Sequence, residues 1–127
     1  MRLQVGVADA LVDVEVGDLD EHLTRIEGEL TEPVLVTLTS GDATLHIGLG
    51  NRDHSVALFH DHAGRSWASR GDEIDVDLVF RKGERRYEFY ASVAIALGQA
   101  RRAAGEFAVS GRLPTSSTAW EREPDRT

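Results

Sequence analysis

The hydrophobic period of this chain changes at Pro33, and that change sets the order of its first elements. Before Pro33, four apolar residues follow the period of about 3.6 residues that is typical of a helix with one apolar side. They are Leu19, Leu23, Ile26 and Leu30. After Pro33, apolar and polar residues alternate, as in strands with one buried face. We therefore expect a helix over residues 18–30, followed by a series of strands.

The start of this helix carries an expected cap. Asp18 occupies the N-cap position, and Glu21 stands three residues later, the spacing of a capping box. Asp20 adds negative charge at the helix N-terminus, where the helix dipole favours it. Helix formation thus explains part of the acidity of residues 1–32, which hold nine Asp or Glu and two Arg.

Strand-like segments occupy most of the chain between Pro33 and Tyr90. They read PVLVTLTS, ATLHIGLG, HSVALFH, RSWASRG, EIDVDLVF and RRYEFY. Short polar turns separate several of them, at residues 40–42, 50–53, 61–64 and 81–84. Such turns join antiparallel strands, because a parallel pair needs a crossover of about a dozen residues. The pattern predicts an antiparallel meander.

A second helix is expected between Ser92 and Ser110. Leu97, Ala100, Ala104 and Phe107 lie along one side of it, and Arg101 and Arg102 along another. Gly111 is placed as its C′ residue, and Pro114 prevents its continuation. The strand STAW, ending at Trp120, then returns to the sheet. The predicted class is α+β: an antiparallel meander of five to seven strands packed with one N-terminal and one C-terminal helix. We expect one domain over residues 1–120 and a flexible tail over 121–127.

Composition narrows the functional classes. The 127 residues suffice for one domain with one core. There is no Cys, so neither disulfides nor thiolate chemistry is available. The net charge of −8 opposes nonspecific binding to nucleic acid. Neither a signal peptide nor a membrane span is apparent, so the cytoplasm is the expected compartment and no membrane partner is expected.

Histidines offer a possible metal site, which we weigh against solvated turn residues. On a strand, His60 and His62 would share one face around Asp61, and His54 or His46 could supply a third ligand. The pair borders a glycine-containing turn, and no nearby Glu completes the set, so solvated turn histidines are the favoured interpretation. His46 alternates out of phase with its apolar neighbours, and we expect it at the surface or in an interface. No metal and no cofactor are predicted.

Motifs of catalysis are also weak in this chain. Gly48 and Gly50 resemble the start of a dinucleotide-binding loop, but Asp53 stands where a third glycine is needed, and a strand follows instead of a helix. No serine lies in a nucleophile-elbow context. No catalytic residue is therefore predicted.

Two features remain as candidate binding determinants. An acidic run contains Asp72, Glu73, Asp75 and Asp77, the last two on one outward face of a strand. Clustered carboxylates repel each other until a cationic partner docks, although a solvated strand face is an equally good explanation. Trp67 is either a core residue or a partly exposed interface anchor. Trp120 is interpreted as structural.

Four stretches of the chain resemble the first-described immunity protein family of bacterial polymorphic toxin systems. They are LHIGLGNRDHSVALF, which contains Gly48 and Gly50; RSWASRGD; the helix end ARRAAGEFAVSGRLPT, which contains Phe107, Gly111 and Pro114; and the closing Trp120. The resemblance runs from about Leu35 to Trp120. The stretch from Tyr90 to Ala96 departs from it, because Ala stands where the family often has a helix-starting Pro.

The resemblance implies inhibition by binding, often of a deaminase toxin that acts on nucleic acid, and no enzymatic activity. An acidic inhibitor would be steered toward a basic toxin, so we expect Asp53, Trp67 and the acidic run at residues 72–77 to contact it. A homo-oligomer is compatible with these features. Two alternatives stay open: a regulatory domain that binds a small ligand through His46 and His60, and a metal-dependent enzyme.

Overall fold

A computed structural model of the chain describes residues 2–8, 10–71 and 78–123. The described residues form eleven strands and two helices, with 3-10 turns at Val16–Asp18 and Ala91–Val93. The elements are β1 (Arg2–Val7), β2 (Ala10–Glu15), α1 (Leu19–Glu29), β3 (Val34–Ser40), β4 (Ala43–Leu49), β5 (His54–Ser55), β6 (Ala57–His60), β7 (Ser66–Arg70), β8 (Leu78–Lys82), β9 (Arg85–Phe89), β10 (Ile95–Ala96), α2 (Leu97–Ser110) and β11 (Ala119–Arg122).

Nine of these strands form one sheet, and the short strands β5 and β10 form a second. Along the large sheet the order is β11-β7-β6-β4-β3-β1-β2, and every neighbouring pair on this path is antiparallel. β9 pairs with β8, and β8 joins the sheet beside the first residue of β3. The predicted α+β class, with an antiparallel sheet and a helix near each end of the chain, is confirmed.

The sheet has two strands more than the upper limit of the prediction, because the first fifteen residues form a hairpin that we did not predict. Val7 pairs with Ala10 across a two-residue turn, and Ala8 there has a φ of 55°. A side chain at Gly6 would strike the carbonyl oxygen of Ala10, so only glycine permits this close approach. The turn lacks the Asn-Gly or Asp-Gly pair that usually identifies a hairpin in sequence.

β8 departs from the expected all-antiparallel pairing. Arg81 lies parallel to Val34, and the Arg81 N–H donates to the carbonyl of Pro33 at 3.0 Å. The β8–β9 hairpin thus adds to the sheet beside β3 instead of continuing the meander from β7.

Both helices contribute to the main core on one face of the sheet. The predicted apolar side of α2 is confirmed, because Ala100, Ala104 and Phe107 are fully buried there. Leu19 and Leu23 of α1 join the same core. Gly111 has a φ of 68° and ends α2 in the left-handed conformation expected of a C′ glycine.

The predicted cap of α1 is wrong. Asp18 occupies the N-cap position, but its side chain makes no capping hydrogen bond. A 3-10 turn leads directly into the helix, and the Leu19 N–H bonds to the carbonyl of Val16. Asp18 itself has helical backbone angles, which do not suit a capping side chain. Its negative charge therefore has a different explanation from the one we expected.

A smaller core lies under the β8–β9 hairpin. Its buried members are Leu35, Val56, Leu78, Phe80 and Ala94. A Cβ at Gly48 would overlap the Phe80 ring, so this hairpin packs directly on the backbone of β4. Leu78 and Phe80 both point inward from β8 and are almost completely buried.

Candidate interaction surface

Of the six residues predicted to contact a partner, the structure describes Asp53 and Trp67. Asp72, Glu73, Asp75 and Asp77 lie outside the described residues. The described part of the candidate surface therefore consists of Asp53, Trp67 and the elements that flank the acidic run. These are β7, which ends at Arg70, and Gly71, the residue before the run.

Asp53 lies exposed on the turn between β4 and β5. Its carbonyl oxygen accepts a hydrogen bond from the N–H of Leu97 at 2.8 Å, so the turn is tied to the first residue of α2. Gly50 begins this turn with a φ of 93°, a conformation that glycine adopts without strain. The position of Asp53 is thus set by the helix and by the turn.

Trp67 lies on β7 and is partly buried against the main core. Its ring is 5.6 Å from that of Phe59, and the Arg65 guanidinium lies 5.7 Å from its centre. The ring thus has an apolar neighbour and a cationic neighbour. Both interpretations of Trp67 given by the sequence, core residue and partly exposed anchor, are compatible with this environment.

The segment from Ser92 to Leu97 connects the two described ends of the candidate surface. Ser92 accepts a hydrogen bond from the N–H of Gly71 at 2.9 Å, and Leu97 donates to Asp53. A side chain at Gly71 would collide with the carbonyl oxygen of Ala94, so only glycine fits at this position. Five residue steps separate Ser92 from Leu97, at most about 18 Å. Asp53 and Gly71 are therefore bonded to the two ends of one short segment.

His46 is buried, contrary to the predicted surface position. It does lie on the sheet face opposite its apolar neighbours, but only 8% of it is exposed. Its Nδ1 hydrogen-bonds the Thr37 hydroxyl at 3.0 Å, and its ring packs edge-on against His60 with centroids 5.5 Å apart. Burial, together with Lys82 and His60, lowers the pKa of His46 to about 4. The surface prediction failed because strand alternation gives the face of a side chain and not what covers it.

His60 and Asp61, which belong to the possible metal site, also have structural partners. His60 Nδ1 hydrogen-bonds the Ser66 hydroxyl at 2.8 Å. Asp61 accepts hydrogen bonds from the backbone N–H groups of Ala63 and Arg65, and it forms an ion pair with Arg65 at 2.7 Å. Its carboxylate thus holds the turn after β6 together. Within residues 2–8, 10–71 and 78–123, no three His, Asp or Glu side chains come close enough to share a metal ion.

The remaining predicted motif residues lie at the C-terminal end of the fold. Phe107 is fully buried and packs edge-on against Phe59, with centroids 5.9 Å apart. The Trp120 indole N–H donates to the carbonyl of Pro114 at 2.8 Å. β11 continues past Trp120 to Arg122, two residues into the stretch that we expected to be a tail.

Sequence reasoning missed a second exposed region, on β2. Leu11 and Val12 are 37% and 49% exposed, and neighbouring carboxylates line a groove beside this strand. The alternation of Leu3 and Val5 in β1 was the signal that could have revealed the hairpin.

Comparison with protein families gives one match. The family model described as Immunity protein Imm1 matches residues 9–122, which run from the β1–β2 turn to the end of β11. No curated protein matches the chain. No helix among the described residues has the length and apolar character needed to cross a membrane.

Proposed function

The chain belongs to the Immunity protein Imm1 family, and from this we propose that it binds and neutralises one cognate bacterial toxin. The family match over residues 9–122 is the observation that carries the proposal. Neutralisation by binding requires a stable surface and no reacting groups. We therefore propose that the protein is an inhibitor without enzymatic activity, acting in the cytoplasm.

We further propose that the toxin acts on nucleic acid, as a deaminase does. A protein that binds phosphate backbones carries positive charge around its site. The net charge of −8 on the inhibitor would attract such a surface and raise the association rate. The inhibitor would then cover the toxin's active site or occupy the surface that its substrate uses.

We propose the acidic run and its neighbours as the principal contact surface. The contacts are Asp53, Trp67, Asp72, Glu73, Asp75 and Asp77. Support comes from the Ser92–Leu97 segment, which holds Asp53 at one end and Gly71 at the other. The residue before the run and the exposed Asp53 thus lie within reach of one partner surface.

Titration of the chain with the toxin domain encoded beside it tests the function. We expect tight binding and rescue of growth when the two are co-expressed. Absence of binding at micromolar concentrations would contradict the proposed function. A direct assay on nucleic acid with and without the inhibitor would show whether deamination is the activity that is blocked.

Charge reversal at Asp75 and Asp77 tests the location of the surface. Asp75→Lys combined with Asp77→Lys should slow association and reduce its dependence on salt, because rim charges act mainly on the encounter rate. Asp42→Lys on the exposed β3–β4 turn is the matched control. An affinity at low salt equal to that of the unmodified chain would exclude this placement.

A second candidate function rests on the His46–His60 pair. Both Nδ1 atoms are held by hydroxyl groups, and neither Nε2 atom has a hydrogen-bond partner among the described residues. Two oriented imidazoles of this kind could anchor a small polar ligand on the sheet. A ligand that remains bound to the purified chain and is lost on His60→Ala would favour this function. Retention of full toxin binding by the same variant would favour inhibition.

A further inference from the structure

β2 forms one end of the large sheet. It pairs with β1 on one side, and no described strand pairs with its other side. In an antiparallel pair, every second residue directs its backbone N–H and C=O away from the partner strand. Val7 and Ala10 flank the two-residue turn, so they form a backbone hydrogen-bonded pair. Hydrogen-bonded and outward-facing residues alternate from there along β2, so the backbone N–H and C=O groups of Leu11 and Asp13 point away from β1.

The first half of β2 is apolar and exposed, although isolated edge strands are usually protected. Five of its six residues are exposed, and Leu11 and Val12 are the large apolar ones among them. Proteins commonly block such edges with Lys, Pro or a bulge, because an open edge pairs with other chains. Asp13 and Glu15 protect only the second half of the strand. The first half remains open to an added strand.

The groove beside this edge is lined by more carboxylates than guanidinium groups. It has a volume of about 460 Å³, and its lining includes four carboxylates and two guanidinium groups. Arg2 pairs with Glu15 at 2.7 Å, and Arg25 lies 3.9 Å from Glu21. Asp13 and Asp18 form no hydrogen bond or ion pair with any described side chain. The charge of Asp18, which does not cap α1, is thus available to a partner.

We propose that β2 is a second contact for the toxin, one that accepts an extended basic segment of the toxin as an additional strand of the sheet. Main-chain hydrogen bonds would pair the segment with β2, and its Lys or Arg side chains would lie near Asp13 and Asp18. The charge of the groove selects a basic occupant. This inference rests on the proposed function and places a contact five strand spacings, about 24 Å, from β7.

Two substitutions at Asp13 separate charge from backbone pairing. Asp13→Asn removes the charge and keeps the outward N–H, whereas Asp13→Pro removes both. We expect Asp13→Asn to weaken toxin binding about threefold to tenfold, and Asp13→Pro to weaken it at least tenfold more. Asp42→Asn, on the β3–β4 turn, is the control for loss of one exposed carboxylate. Circular dichroism and the thermal midpoint establish that each variant is folded.

Hydrogen exchange of the unmodified chain with and without the toxin domain gives an independent measurement. We expect toxin binding to slow exchange at Leu11 and Asp13, whose N–H groups point outward. Equal affinities of Asp13→Pro and Asp13→Asn, or unchanged exchange in β2, would overturn strand addition. If the toxin binds and neither Asp13 variant weakens binding, the inference fails while the proposed function stands.

A second copy of this chain is the alternative occupant of the edge. Sedimentation of the chain alone should show a monomer. A dimer that Asp13→Pro dissociates would overturn the assignment to the toxin. If no toxin binds the unmodified chain at all, the proposed function fails before the inference is reached.

Discussion

The Arg101 guanidinium on α2 donates to both the backbone carbonyl and the carboxylate of Asp20 on α1, at 2.7 and 2.8 Å. The same nitrogen donates to the Thr24 hydroxyl at 2.6 Å, and Glu27 lies 3.8 Å from the guanidinium. Arg101 is 17% exposed, whereas Asp20 is 85% exposed. One side chain thus joins the N-terminal and C-terminal helices over the main core.

Loss of this connection should destabilise the fold. We expect Arg101→Ala to lower the free energy of unfolding by about 1–2 kcal/mol, since several hydrogen bonds are lost but solvent screens the exposed Asp20. Arg101→Lys should recover less than half of the loss, because an ammonium cannot reach all of these acceptors in the same geometry. Urea unfolding measures both. Arg102→Ala, on the exposed side of the helix, should change stability by less than about 0.5 kcal/mol. A Lys variant as stable as the unmodified chain would contradict this role.

Gly48→Ala should destabilise the protein because its methyl group overlaps the Phe80 ring. Overpacking of this kind costs about 1–3 kcal/mol. Combining Gly48→Ala with Phe80→Leu should cost less than the sum of the two single changes, because the smaller side chain leaves room for the methyl group. Gly105→Ala is the control: a Cβ there meets nothing within 4 Å, and alanine favours the helix by about 1 kcal/mol. Strict additivity at positions 48 and 80 would argue against direct contact.

The stability of the fold should depend on pH through His46. The pKa of His46 is about 4 in the folded protein, whereas the ordinary value for histidine is 6.5. The unfolded chain therefore binds a proton at His46 more readily than the folded protein does. Stability is therefore fully present above about pH 6.5 and is lost as the pH falls toward 4. When the pH is lowered from 7.5 to 4, the free energy of unfolding of the unmodified chain should fall by about 2–3 kcal/mol more than that of the His46→Gln variant. Denaturant unfolding at several pH values measures the difference, and parallel curves for the two proteins would refute the prediction.

Trp120→Phe should reveal the contribution of the indole N–H. The aromatic ring is kept, but the hydrogen bond to the Pro114 carbonyl is lost. We expect Trp120→Phe to lower the free energy of unfolding by about 1 kcal/mol. Trp120→Ala should lower it by about 3 kcal/mol, because it also removes the packing against Phe59. Thermal unfolding distinguishes the two variants. Equal losses for Phe and Ala would show that the hydrogen bond outweighs the ring.

Local patterns predicted the elements whose signals are local. The period of α1, the presence of strands β3 and β4, and the glycine after α2 each depend on neighbouring residues, and each was confirmed. Burial does not alternate along β3 and β4, because both faces of these strands are covered. The β1–β2 hairpin was missed because its turn, starting at Ala8, lacks the Asn-Gly or Asp-Gly pair that usually identifies a tight hairpin. The cap at Asp18 was predicted wrongly, since a preceding 3-10 turn cannot be read from the cap motif alone.

Contacts between distant parts of the chain were the least predictable. Arg101 and Asp20 are 81 residues apart, and nothing in their local sequence pairs them. The lowered pKa of His46 likewise depends in part on Lys82 and His60, which lie on other strands. Of the candidate surface, the sequence could identify charged and aromatic residues, but not the hydrogen bond that ties Asp53 to Leu97.

The main core and the core under the β8–β9 hairpin are separate clusters that share no buried residue. Among the described residues, the main core contains nineteen buried residues and includes both helices, whereas the core under the β8–β9 hairpin contains five. Substitutions in the hairpin act on the smaller cluster and leave the larger one intact. Changes in the β8–β9 hairpin should therefore leave the packing of both helices on the sheet unaltered.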